Sequence, residues 1–193
     1  MYRSELQHAA DCKRYPFKAV PLRIFLDTSV INTLTKYSSQ IFDGEPIPVE
    51  VDETLAVDIE ALMHVFYVGG RAPWDILCSP KTLEELAATN DSEFRRDLME
   101  YGVLLTQNLV PEDLEFATDF GRRLRDSHFV SALPDVGDRD LIAHAIGLTC
   151  DVFCTRDRKT ILKKRDRLPP LPLRILSPAE WWAHVKPWAA LWG

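Results

Sequence analysis

The chain has 193 residues, 46% of them hydrophobic and 27% charged, with a net charge of −6. These values exclude a disordered or fibrous protein and suit a single globular domain with a buried core. The acidic balance excludes a protein that coats nucleic acid by charge alone, but not an enzyme whose carboxylates hold cations that then meet a phosphate.

The first 20 residues mix charged and polar types, and no apolar run approaches the ~20 residues needed to span a bilayer. Neither a signal peptide nor a membrane anchor is expected. Cys12, Cys78, Cys150 and Cys154 form no C-x-x-C pair, so the thiols read as core residues in a reducing cytoplasm. The scattered histidines give no zinc spacing.

Residues 22–26 predict a buried strand that stops at Asp27, followed by a helix with Thr28 or Ser29 near its cap. The polar, proline-bearing stretch 38–53 predicts a loop. Leu55, Ile59, Leu62 and Phe66 recur at helical spacing over 53–68, with Gly69-Gly70 as the stop. Residues 75–79 predict a second strand. Ser79-Pro80 then opens a helix over 79–89 with a capping residue and a proline just inside.

Further helices are expected over 91–101, 112–125 and 138–146, with a turn at Gly147. Strands follow at 151–155 and 173–176. The Trp-rich segment 178–193 predicts a terminal helix interrupted at Pro187, its Trp181, Trp182, Trp188 and Trp192 packing onto the body or a subunit interface in preference to stacking on bases. Strands alternating with helices predict an α/β fold with a parallel sheet covered on both faces. Ligands of such sheets collect at the carboxyl ends of the strands.

Acids cluster at those ends. Asp27 ends the first strand, Asp157 lies two residues past strand 151–155, Asp138 starts the preceding helix, and Glu84 and Glu85 follow strand 75–79. Each alone has an ordinary reading as a cap, turn or surface residue. Together, converging carboxylates without basic partners repel one another unless divalent cations bind. Two such cations about 3.5–4 Å apart serve phosphodiester hydrolysis. Helical periodicity alone does not choose between Glu84 and Glu85.

It does separate Asp138 from Asp140. At about 100° per residue from Asp138, Leu141, Ile142, Ala145 and Ile146 fall at about 300°, 40°, 340° and 80°. Asp138 therefore faces inward, and Asp140, at about 200°, faces away.

In order, FLDTSVINTL, SPKTLEEL, DRDLIAHAI and DVFCTRDRKTIL resemble the four motifs of the PIN-domain family, which includes the ribonuclease toxins of toxin–antitoxin pairs. The resemblance implies a three-layer α/β/α fold with a central parallel sheet, formed by 1–193 as one domain. It also implies Mg²⁺- or Mn²⁺-dependent cleavage of single-stranded RNA. By position it makes Asp27, Glu85, Asp138 and Asp157 the catalytic, metal-binding acids, with Ser29 and Thr155 as neutral groups beside them. The Leu directly after the acid selects Glu85 over Glu84.

The extension 1–21, the acidic insertion near 43–60 and the Trp-rich tail depart from the family's compact toxins. The partners expected are an RNA substrate, an antitoxin protein if the chain is a toxin, and a second copy of the chain. The basic run Arg156, Arg158, Lys159, Lys163, Lys164, Arg165 and Arg167 is the expected path of the RNA backbone. The rival reading is a catalytically silent PIN-like module that binds RNA or protein. A haloacid-dehalogenase-like phosphatase would need a second Asp where Ser29 stands. His128 and His144 lack acid partners at evident spacing, and surface or packing roles are expected for both.

Overall fold

The computed structural model describes residue 10 and residues 20–69, 74–107 and 109–189. Most of the expected extension 1–21, with Cys12, lies outside them, as do Gly70 and Trp192. Four short strands form the sheet: β1 (Arg23–Leu26), β2 (Asp75–Leu77), β3 (Val152–Cys154) and β4 (Arg174–Leu176). All pair in parallel, in the order β2-β1-β3-β4. β1 and β3 are apolar on both faces, as central strands covered from two sides must be. Phe25 and Phe153 stack across that pair with centroids 5.4 Å apart.

Eight helices are named, in chain order: α1 (Thr28–Lys36), α2 (Ser38–Phe42), α3 (Glu53–Gly69), α4 (Pro80–Ala87), α5 (Ser92–Thr106), α6 (Pro111–Arg125), α7 (Val136–Gly147) and α8 (Pro178–Ala189). Strand residues alternate between two cores. Ile24, Leu26, Val152 and Cys154 pack with α1, α3, α4, α5 and α8 on one face. Phe25, Leu77, Phe153 and Ile175 pack with α6 and α7 on the other. The fold is α/β with helices on both sides of a parallel sheet. No described helix is long and apolar enough to cross a membrane.

The helix at Ser79 opens as expected, with the Ser79 side chain and Thr82 forming a reciprocal capping box and Pro80 just inside. Four expectations are corrected. The stretch 38–53 is not all loop: it contains α2, anchored by the buried Ile41. The helix expected over 91–101 runs on to Thr106, with Leu98 and Gly102 buried. Pro187 does not interrupt α8. A proline inside a helix costs about 3 kcal/mol, and burial of Trp181, Val185 and Trp188 against the body offsets it.

The fourth correction concerns the turn before β3. Gly147 is still helical, and Thr149 takes the left-handed conformation, at φ 56°. Gly147 is needed for a different reason. A Cβ there would stand 2.7 Å from the Ala117 Cα, so its absence lets α6 close onto α7. Gly147→Ala is expected to lower stability by about 1–3 kcal/mol through this overpacking, despite alanine's better helix propensity. Urea titration of both proteins measures the difference; equal midpoints would show that the two helices separate at no cost.

Candidate active site

β1 sits inside the sheet, with β2 on one side and β3 on the other. The chain thus reverses its winding direction between β1 and β3, which opens a crevice at their carboxyl ends. Asp27 leaves β1 there, its N–H donating to the Cys154 carbonyl at 3.0 Å. It is the N-cap of α1 by backbone position, yet its side chain caps nothing. The carboxylate turns across the crevice instead. Its Oδ2 accepts from the Ser29 hydroxyl at 2.5 Å and the Thr155 hydroxyl at 2.6 Å.

Each hydroxyl is oriented by an incoming backbone donor. Arg156 N donates to Ser29 Oγ at 2.9 Å, and Asp157 N donates to Thr155 Oγ1 at 3.0 Å. Both expected neutral residues therefore spend their protons on Asp27. They also tie the end of β3 to the start of α1.

Of the two glutamates on α4, Glu85 is the one brought to the crevice. Its Oε2 accepts from Thr28 Oγ1 at 2.6 Å. Glu84 is exposed and pairs with Lys81 at 3.0 Å. The apolar face of α4 is narrower than expected, for Ala87 is exposed while Leu86 is buried.

Asp138 does not begin its helix. α7 starts at Val136 and is capped by Asp135, whose Oδ1 accepts from Gly137 N at 2.6 Å. Asp138 lies in the first turn and faces Asp157. The Thr160 hydroxyl bridges the two, 2.7 Å from Asp138 Oδ2 and 2.5 Å from Asp157 Oδ2. That hydroxyl carries one proton, so a second proton is needed to make both contacts hydrogen bonds.

Asp138 is the group placed to hold it. Half-burial, then repulsion from Asp135, Asp157 and Asp27, push it up to about 6 despite the Thr160 bond. At Asp157 burial also pushes upward. The Thr160 hydroxyl and the N–H groups of Thr160, Lys159 and Ile161 outweigh it and hold the group below its usual range.

Burial likewise raises Asp27 and Glu85, against the hydroxyl bonds each accepts. Among the described residues none of the four carboxylates has an ion-pair partner within 4 Å. Asp140 points away from the cluster, as expected, but not into open water. Ala143 is buried as well, because α6 covers the far side of α7. Asp140 is 21% exposed and lies 3.8 Å from Arg125.

The basic run divides. Arg156 and Arg158 both reach Asp58 of α3, at 3.2 and 3.0 Å, and Arg165 pairs with Glu180 at 2.5 Å. Lys159, Lys163 and Arg167 are exposed and Lys164 is half-buried. His144 packs, as expected, with Nδ1 3.2 Å from the buried Ser79 hydroxyl, and burial lowers its pKa. Trp181 is buried and Trp182 stacks on His64 at 4.9 Å, so both serve packing.

Asp135, Thr160 and Asp58 belong to this region and were not singled out by sequence, and Thr28 was read there only as a helix cap. Asp135-x-x-Asp138 ahead of an apolar run carried a capping signal for the first; Asp157-x-x-Thr160 has a similar local contact, while the Thr160 bond to Asp138 and those of Thr28 and Asp58 are long-range with no local signature.

Among the described residues no three carboxylate, imidazole or thiol side chains already surround one point as ligands. The four acids are joined through hydroxyls instead. The donor chemistry fits a hard dication: only carboxylate and hydroxyl oxygens are present, three of the acids sit above their usual range, and no side-chain cation pairs with them. No family model matches the chain, nor does any curated protein or solved structure.

Asp138→Asn is expected to raise the melting temperature of the metal-free protein at pH 7. The folded-state pKa of Asp138 is raised, from 3.8 to about 6. Its protonated form therefore supplies stability that is complete below about 3.8 and lost as pH rises through about 6. Asparagine restores it. The gain should be largest above pH 6 and vanish near pH 3.5; thermal melts across that range in EDTA measure it. A gain that does not vary with pH would place its origin elsewhere than in the Asp138 charge.

Proposed function

We propose that this chain is a metal-dependent endoribonuclease of the PIN-like type, cutting single-stranded RNA at the crevice between β1 and β3. The observation that carries the reading is the buried Asp27 carboxylate. It lies at the point where the winding reverses and is satisfied by two hydroxyls rather than by a cation. Glu85, Asp138 and Asp157 stand around it, also without ion pairs. Asp27, Glu85, Asp138 and Asp157 would hold Mg²⁺ or Mn²⁺. Bound there, such ions position the scissile phosphate, lower the pKa of the attacking water and stabilise the departing oxygen.

The protein's own contribution is orientation. Ser29 and Thr155 fix the Asp27 carboxylate from two sides. Thr28 fixes Glu85, and Thr160 spaces Asp138 from Asp157. These hydroxyls sit on two stretches far apart in sequence, Thr28–Ser29 and Thr155–Thr160, so the acids are held by tertiary structure and not by one flexible loop. Preorganisation of this kind removes reorganisation from the reactive step.

Purified protein with Mn²⁺ should cut a mixed single-stranded RNA pool to 5′-phosphate products, and EDTA should stop it. Asp27→Asn should lower the rate by more than about 100-fold, beyond the 10–100-fold usual for lost support around a metal ligand. Asp140→Asn should stay within about threefold of wild type, because Asp140 faces Arg125. Equal cleavage by wild type and Asp27→Asn would assign the activity to a contaminant and sink the reading.

A further inference from the structure

Asp58 is fully buried and lies outside the carboxylate cluster, yet both its oxygens are engaged by arginines of the loop after β3. Arg156 Nε donates to Oδ2 at 3.2 Å, and Arg158 Nη2 reaches Oδ1 at 3.2 Å and Oδ2 at 3.0 Å. Arg156 Nη1 also donates to Thr33 Oγ1 at 3.0 Å. Neither guanidinium spends all five N–H groups on these bonds. Two guanidiniums on one carboxylate leave the triad one positive charge in excess.

That charge faces a groove. An open hollow of about 520 Å³ adjoins the crevice, lined among others by Ser29, Asp157, Arg156, Arg158 and Lys159. Asp52 and Asp157 line it as well and accept backbone hydrogen bonds while staying anionic, Asp157 as one of the proposed metal ligands. Leu55 N donates to Asp52 at 3.0 Å, and Lys159 N and Thr160 N donate to Asp157 at 2.8 and 2.7 Å. What remains for a ligand is the Arg156–Arg158 pair and the exposed Lys159. A smaller hollow of about 410 Å³ around Phe42, Phe66 and Tyr67 shares none of these residues.

We propose that Asp58 converts Arg156 and Arg158 into a fixed cationic fork that takes one phosphodiester group of the substrate strand, beside the carboxylates. The inference rests on the proposed ribonuclease reading and names the path of its substrate. A free arginine on a loop loses side-chain entropy when it grips a phosphate; an arginine already held by a buried carboxylate has lost it on folding. Planar guanidinium forks suit a phosphate's paired oxygens. The distal lysines Lys163 and Lys164 line none of this groove, so the fork, not the whole basic run, carries the contact.

The test is fluorescence anisotropy of a labelled single-stranded oligoribonucleotide with Mn²⁺ in an Asp27→Asn background, over a range of salt. Arg158→Gln should weaken binding by about tenfold or more, the size of a lost charge-assisted hydrogen bond. It should also flatten the logarithmic salt slope by about 0.7. Lys163→Gln with Lys164→Gln should leave affinity within about twofold. Asp58→Asn is the sharpest arm: it moves the net charge from −6 to −5, which by charge alone strengthens binding, whereas loosening the fork weakens it. Weaker binding supports the fork and tighter binding overturns it. If Asp58→Asn does not fold, Arg158→Gln decides. Binding is read apart from cleavage, so the two failures differ. Cleavage undiminished by Asp27→Asn marks loss of the ribonuclease reading; Arg158→Gln binding like wild type marks loss of the fork.

Discussion

A carboxylate buried without a side-chain cation beside it is the constraint around which this structure is arranged. Asp27 is 5% exposed, and an ionised carboxylate in such a place is costly unless hydrogen bonds or charge compensate. Two hydroxyl protons compensate in part. To deliver them, Ser29 must sit one helical step along α1 and Thr155 must emerge from β3 in register with β1. The parallel β1–β3 pairing, which places Leu26 opposite Cys154, brings this about. The sheet register and the state of one side chain are therefore a single problem.

Asp58 solves the next part of it. A loop carrying Thr155, Arg156, Asp157 and Arg158 would be mobile if held only by its own turn. The Asp58 carboxylate pins it from α3 on the opposite side of the crevice. A buried ion group of this kind adds little net stability over an apolar replacement, so what it contributes here is position rather than stability. The Asp157 turn, closed by Lys159 N and Thr160 N, then holds its acid close to Asp138 on the other face of the sheet. The site thus draws on both helical layers, and each layer contributes an acid that the other could not supply.

The alternation of strands and helices was legible because each signal is local. Apolar runs mark β1 and β3, Ser79-Pro80 marks α4, and periodicity marks α3. The inward side of α7 was legible for Asp138, but the covering of its far side by α6 was not, since Ala143 and Gly147 are small and carry no sign of what they pack against. The missed helix at 38–42 is short and mostly polar, and it is tied down by the buried Ile41 and by Phe42, edge-on to Phe66 at 5.4 Å. Glu85 illustrates the limit most clearly. Periodicity could not choose between it and Glu84; the choice came from a resemblance and matches where the chain places the residue. What separates the two physically is Thr28, 57 positions away, a contact no local pattern contains.

The same reasoning explains why the basic run misleads when read as a unit. Along the sequence its seven cations look equivalent. In the fold they meet different acids: Arg156 and Arg158 find a buried one, Arg165 finds Glu180, and Lys159 stands free in the groove wall. Charge counted by sequence measures long-range attraction, which salt screens within about 10 Å at 0.1 M. Grip depends on which cations are already immobilised when the substrate arrives. In this protein that is decided by an acid from the segment that, by sequence, read as an acidic insertion.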